Sequence, residues 1–213
     1  MRGDLESKWS GAAAAAHYSR RRFRTARAAA RDPRLVAELL RDHGARPGGL
    51  YLDAPCGAAR LAAVLRERGE LVSLDANRSM LETARAAGQA AGLVEGSVLA
   101  LPFADASFDV VVCCRLLHHL RERAELERAV RELVRVSRGL VLASFWDSAS
   151  WPALRVRLGL KADEGPRGRV AASRAVLAAL FAAAGAPVVE FRAVMRFVSQ
   201  QTFLVAERRE RAP

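Results

Sequence analysis

Two carboxylates and one glycine in this chain have the types and spacing of a ligand clamp. Asp53 closes the apolar run Leu50-Tyr51-Leu52, and the small-residue turn Ala54-Pro55-Cys56-Gly57-Ala58-Ala59 comes directly after it. Gly57 lets a ligand approach the backbone closely. Asp75 lies 22 residues beyond Asp53, at the end of Leu71-Val72-Ser73-Leu74. A carboxylate there can accept both hydroxyl protons of a ribose, as an acidic residue about 20 residues on does in nucleotide-binding units. Each acid also has a plainer reading. Asp53 can cap the next helix, and Asp75 the helix that begins at Asn77. The Gly-x-Gly-x-x-Gly signature is missing, which argues against a nicotinamide dehydrogenase.

A second group of reactive types lies later. His118 and His119 come after the apolar run Phe108 to Cys114. They read either as a general base or as packing and capping of the loop before the next helix. Arg115, just before them, either orients an anionic acceptor or is solvated. The segment Tyr18-Ser19-Arg20-Arg21-Arg22-Phe23-Arg24 mixes basic and aromatic residues. It reads as a lid that recruits an acidic or lipid head group, or as a solvated helix face with Phe23 inward. Trp9, Trp146 and Trp151 suit a lid and acceptor pocket, or an ordinary core.

The elements that must hold these residues alternate. Strands are predicted at Leu50–Asp53, Glu70–Asp75, Leu93–Glu95, Phe108–Cys114 and Leu140–Trp146. Helices are predicted at Arg60–Arg68, Asn77–Ala91 and Glu122–Val136. This order means parallel βαβ units with right-handed crossovers. The run Phe108–Cys114, apolar apart from Asp109, has the pattern of a strand buried on both faces. Ahead of these lies helix from His17 to His43, in two pieces broken near Asp32-Pro33. Ser173 caps a later helix that Gly185 stops. Val188–Phe197 and Gln201–Glu207 come next as strands joined by a tight turn, so they pair antiparallel. The fold class is therefore α/β, a mostly parallel doubly wound sheet of seven strands with an antiparallel C-terminal hairpin. Lys161 to Arg169 reads as a mobile loop near the mouth of the site.

Composition narrows the function. The 213 residues are 51% hydrophobic, enough for a core and too many for a disordered chain. No apolar run approaches the roughly 20 residues of a spanning helix, and the N-terminus does not read as a secretory leader. Cys56, Cys113 and Cys114 have neither disulfide nor zinc spacing, so they read as small buried hydrophobes in a reducing, cytoplasmic setting, with no metal site. Net charge is +11: residues 1–46 contribute +6, 47–144 zero and 145–213 +5. That basic excess suits an anionic partner. A coding bias toward Arg and Ala explains it equally well.

Taken in order, the motifs resemble a known family. Asp53-x-x-x-Gly57 precedes Leu71-Val-Ser-Leu-Asp75-Ala-Asn-Arg-Ser-Met-Leu-Glu-Thr-Ala-Arg85. Then comes Gly96-Ser-Val-Leu-Ala-Leu-Pro-Phe-Ala-Asp-Ala-Ser-Phe-Asp109, and later Leu117-His-His-Leu120. From Gly49 to Phe145 the chain is similar to the class I S-adenosylmethionine-dependent methyltransferases of Rossmann-like fold, in the quinone-biosynthesis-like branch (methyltransferase type 11). The resemblance implies S-adenosylmethionine as cofactor. Asp53, Ala54, Pro55 and Gly57 would flank its methionine part, and Asp75 would hold the ribose. Ala76 and Met80 would pack on adenine, with Ser97 and Val98 at its edge. Cys113, Cys114 and Arg115 would offer carbonyls to the ammonium and face the substrate. Asp109 fits the pattern as a structural residue. The chain departs from the family in its glycine loop, where only Gly57 remains and Ala59 adds a methyl group. It also carries Ser97 where the family usually has Asp.

The resemblance implies methyl transfer to a small-molecule acceptor, quinone-like, lipid-like or a secondary metabolite, anionic acceptors included. Two other readings stand beside it: an RNA or other nucleic-acid methyltransferase, favoured by charge, and a non-catalytic cofactor-binding protein, suggested by the eroded loop. Residues 1–46 would form an N-terminal helical lid and 47–213 the methyltransferase domain, with 146–172 a substrate-side loop insertion. Tyr18, Arg22, Trp146 and Trp151 are the candidate lid and substrate residues, and His118 and His119 the candidate catalytic ones.

Overall fold

The structure is a computed structural model and describes residues 26–88, 92–160, 170–195 and 198–208. Helix α1 spans Ala26–Asp42, then β1 Gly49–Asp53, α2 Ala62–Arg66, β2 Gly69–Asp75, α3 Arg78–Ala86 and β3 Leu93–Glu95. Next are β4 Phe108–Cys113, a 3₁₀ turn Leu117–His119, α4 Arg123–Val136 and β5 Ser137–Trp146. The chain closes with α5 Trp151–Arg157, α6 Arg174–Ala183, β6 Val188–Ala193 and β7 Gln201–Glu207. The strands form a seven-stranded sheet in the order β3-β2-β1-β4-β5-β7-β6. The fold is the mostly parallel α/β sheet with an antiparallel C-terminal hairpin that the alternation predicts.

Two compact units divide the chain, one ending at Pro102 and one starting at Phe103. In the first, β1 pairs parallel with β2 from Gly49↔Gly69 to Asp53↔Ser73, and β2 with β3 from Ser73↔Leu93 to Asp75↔Glu95. Tyr51, Leu52, Leu74 and Leu65 are fully buried, as are Val36, Leu39 and Leu40 at helical spacing on α1. α1 is unbroken at Pro33, contrary to the two-piece reading. An interior proline costs about 3 kcal/mol, but burial of Val36, Leu39 and Leu40 just beyond it offsets that loss. Asp32 adds an anchor, fully buried and 3.0 Å from the Arg60 guanidinium. Of the lid residues, Trp9, Tyr18, Arg22 and Phe23 lie outside the described residues.

In the second unit β4 is buried on both faces, from Phe108 through Cys113 apart from Asp109. It pairs parallel with β5, which pairs antiparallel with β7 from Leu140↔Glu207 to Trp146↔Gln201. β5 starts at Ser137, three residues before its apolar run, because Phe108 pairs with Ser137 across an irregularity in register. β6 ends at Ala193, so it and β7 are joined by residues 194–200, longer than a tight turn. The stretch after β5 is not wholly loop: Trp151–Arg157 is helical, with the Leu154 N–H bonded to the Ser150 carbonyl at 2.9 Å. The loop predicted over 161–169 lies outside the described residues.

Candidate functional site

In the first unit the site is built where β1 and β2 end. Asp53 is the last residue of β1 and its side chain is 1% exposed. Neither carboxylate oxygen has a hydrogen-bond donor among the described residues. Burial pushes its pKa up to about 8, against the pull of Arg60 and with a smaller push from Asp75. The capping reading of Asp53 fails: α2 begins after Leu61 with no side-chain cap.

Asp75 is the last residue of β2 and is buried. One of its oxygens accepts the Gly57 N–H and the other the Asn77 N–H, each at 2.8 Å. Burial raises its pKa, and the N–H groups of Asn77, Gly57 and Ala76 oppose the rise. The cap of α3 is Asn77, whose side chain accepts the Ser79 N–H at 2.9 Å. Asp75 is thus left to hold the preceding turn.

That turn has two left-handed residues, Gly57 (φ +54°) and Ala59 (φ +53°). A Cβ at Gly57 would meet nothing within 4 Å, so open space borders this backbone. The Cys56 N–H bonds the Leu74 carbonyl at 2.8 Å and ties the turn to β2. Burial pushes the Cys56 thiol up, out of reach of nucleophilic chemistry. Ala54 is buried, Pro55 half-buried, Ala76 exposed and Met80 buried on α3. Ser97 is exposed, and its hydroxyl accepts the Leu99 N–H at 3.2 Å, while Val98 beside it is buried.

These residues fit the cofactor that the resemblance implies. With the Gly57 and Asn77 N–H groups on its two oxygens and the Ala76 N–H close by, the Asp75 carboxylate keeps acceptor capacity for a ribose hydroxyl. Asp53 is a buried acceptor without a donor among the described residues, suited to the cationic amino-acid end.

In the second unit, the remaining candidate residues lie at the end of β4 and in the turn after it. Cys113 and Cys114 are buried and form no disulfide among the described residues. Arg115 is left-handed (φ +64°), and its N–H donates to the Ser144 hydroxyl oxygen at 2.7 Å. The Gln201 amide donates to the same oxygen at 2.5 Å, and the Ser144 hydroxyl points at the Cys114 sulfur at 3.9 Å. His118 is buried and stacks on Trp146, with ring centres 5.1 Å apart and planes 10° from parallel. The His119 ring lies 4.4 Å from that of His118 and is partly exposed. Trp151, on α5, is 46% exposed. Asp109 accepts from Arg138 Nε and Nη2, each at 2.7 Å, a bidentate pair.

Sequence reasoning missed Ser144, Gln201 and the buried Asp147, which accepts from Arg174 at 2.7 Å and from the Ala149 N–H at 2.9 Å. The available signal was a lone polar residue inside an apolar run, as Ser144 is within Leu140–Phe145. Among the described residues no group of three His, Cys, Asp or Glu side chains could hold a metal ion.

The profile of a family described as "Methyltransferase domain" matches residues 52–141. The chain is similar to the 2-phytyl-1,4-naphtoquinone methyltransferase of Trichormus variabilis, 34% identical over 114 residues, covering 49% of this chain and 48% of the relative. It is also similar to the malonyl-[acyl-carrier protein] O-methyltransferase of Erwinia pyrifoliae, 40% identical over 118 residues, covering 52% and 43% respectively. The chain spans about half the length of the curated relatives it matches. Among solved structures, magnesium protoporphyrin IX methyltransferase from Synechocystis PCC 6803 with bound SAH shares the fold. Its TM-score is 0.71 at 19% identity, over 86% of this chain and 85% of that one.

Proposed function

We propose that the chain is a class I S-adenosylmethionine-dependent methyltransferase and that it methylates a small-molecule acceptor of quinone-like or lipid-like chemistry. The observation that carries this reading is the Asp75 carboxylate, fixed by the Gly57 and Asn77 N–H groups where a ribose would lie. The cofactor, when bound, supplies an electrophilic methyl group on a sulfonium. Asp75 binds the two sugar hydroxyls. Asp53 draws the ammonium, and the left-handed turn at Gly57 gives the amino-acid end close access to the backbone. Met80 and Val98 offer apolar contact to the base, and Ser97 a hydroxyl in place of a charge.

Methyl transfer needs alignment and exclusion of water more than charge stabilisation. At the acceptor side, Arg115 is held in one backbone conformation and Trp146 presents a ring stacked on His118. His119, the more exposed of the pair, is the group that takes a proton from a phenol or carbon acid. Trp151 is assigned to the substrate side. Relatives named for a phytyl-naphthoquinone and for a malonyl carrier motivate the acceptor class.

The test is binding of S-adenosylhomocysteine by calorimetry, then transfer of labelled methyl to a panel of hydroquinones, phenols, fatty-acyl thioesters and RNA. Binding with transfer to a hydroquinone or phenol supports the reading. Transfer confined to RNA, or binding without any turnover, overturns it.

A further inference from the structure

Directly after β5 the chain presents apolar side chains to solvent. Trp151 is 46% exposed, Leu158 58% and Leu160 62%. Trp151, Leu154 and Leu158 recur at i, i+3 and i+7, one stripe of a helix. The turn that ends the helix is built to keep Leu158 and Leu160 in place. The Leu160 N–H reaches back to the Arg155 carbonyl at 2.9 Å, the Leu158 N–H bonds the Leu154 carbonyl at 2.9 Å, and Gly159 between them is left-handed (φ +69°). The backbone thus closes as a glycine helix stop. Such a stop normally folds its last apolar residue back onto the helix, yet Leu160 stands outward.

The charge along this stretch is net positive: residues 148–169 hold Arg155, Arg157, Lys161, Arg167 and Arg169 against Asp163 and Glu164. Residues 148–160 contain Arg155 and Arg157, both exposed, and no acid. Asp147, just before them, is buried and paired with Arg174. Exposed leucines and a tryptophan with flanking arginines are the composition of a segment that lies in a bilayer interface. The rings and leucines enter the headgroup boundary, and each arginine is drawn to anionic lipid. No helix among the described residues is long and apolar enough to cross a membrane, so the contact is with its surface.

We infer that the Trp151–Leu160 segment docks the protein on an anionic lipid surface, at the end of the sheet where Trp146 and His118 lie. Short links from the end of β5 put it there: the Ser150 N–H bonds the Asp147 carbonyl at 3.1 Å and the Leu154 N–H bonds the Ser150 carbonyl at 2.9 Å. Binding to lipid stands beside the catalytic reading rather than on it.

Flotation of the full chain with vesicles separates the outcomes. Vesicles of phosphatidylcholine mixed with phosphatidylglycerol should carry the protein, and pure phosphatidylcholine vesicles should carry far less. Leu158→Ser with Leu160→Ser, and separately Arg155→Gln with Arg157→Gln, should each lower vesicle affinity about tenfold or more. Arg128→Gln with Arg131→Gln, an equal charge change at exposed positions on α4, should lower it less than threefold, about 0.7 kcal/mol. All three variants should keep S-adenosylhomocysteine affinity, which reports that they fold and that the cofactor reading is intact. No flotation overturns the inference, and so does equal loss in all three pairs, which would mean unspecific attraction by an arginine-rich chain. A concentration-dependent dimer that the leucine variant abolishes also overturns it, since the face would then meet a second copy.

Discussion

The backbone N–H of Gly57 donates to the Asp75 carboxylate at 2.8 Å, so the acid of the second strand holds the turn after the first. One side chain therefore shapes the loop and offers the ribose contact. Removing it should damage both at once.

Asp75→Ala should lower affinity for S-adenosylhomocysteine by about 100-fold or more, since two charged hydrogen bonds at about 1.5–3 kcal/mol each are lost. Asp75→Asn keeps only one good acceptor and should fall between. Calorimetry checks this. Near-wild-type affinity in Asp75→Ala would remove the ribose assignment.

Ala59 has the left-handed backbone that glycine adopts without penalty. The methyl group costs about 1–2 kcal/mol there, partly returned by the stiffer unfolded chain. Ala59→Gly should therefore stabilise the fold by about 0.5–1 kcal/mol, a rise of about 1–4 °C in Tm. Cofactor affinity should hold or improve. Thermal melting with calorimetry reads both, and a lower Tm would contradict the geometry.

Asp53 ties stability to pH. Its carboxyl is neutral in the fold up to about pH 8, whereas in the unfolded chain it ionises near its ordinary value of 3.8. Between those limits the folded state holds the extra proton, so stability falls as pH rises through the window. Asp75, also raised, acts in the same direction. Asp53→Asn should flatten the fall, which denaturant melts at pH 5 and pH 8 would measure. A bound ammonium favours the ionised acid, so binding should release a proton near pH 7. Titrations in two buffers of different ionisation enthalpy detect it, and an unchanged heat would refute the contact.

The two histidines should separate. His118→Phe keeps a ring against Trp146 and should hold turnover within a few-fold. His119→Gln should slow turnover of an acceptor that must lose a proton, by about 100-fold or more. Steady-state rates across pH decide, and equal effects would mean that neither acts as the base.

Ser144→Ala strips the oxygen that both the Arg115 N–H and the Gln201 amide use. The Gln201 bond is buried and the Arg115 bond partly so, and the loss should be about 1–3 kcal/mol. Chemical denaturation should show it, with turnover falling as Arg115 loses its hold.

Much of this was legible because it is local. Asp53, Gly57 and Asp75 declare themselves by type and spacing, and β3 runs over Leu93–Glu95 as predicted. The left-handed conformations of Ala59 and Arg115 were hidden, since the usual signal for that conformation is glycine. Ser144 and Gln201 stand 57 residues apart and meet only through the pairing of β5 with β7. Helix α1 passes Pro33 because buried neighbours outweigh a local preference, which no window around the proline reveals.

At the opposite end of β1 and β2, Gly49 pairs with Gly69, and a Cβ at Gly69 would overlap the Gly49 carbonyl oxygen. Side chains alternate along a strand, so slipping this pair by one residue would turn Asp75 to the wrong face. A substitution at Gly69, six residues before Asp75 and outside any ligand's reach, should thus read in the laboratory as a cofactor-binding defect.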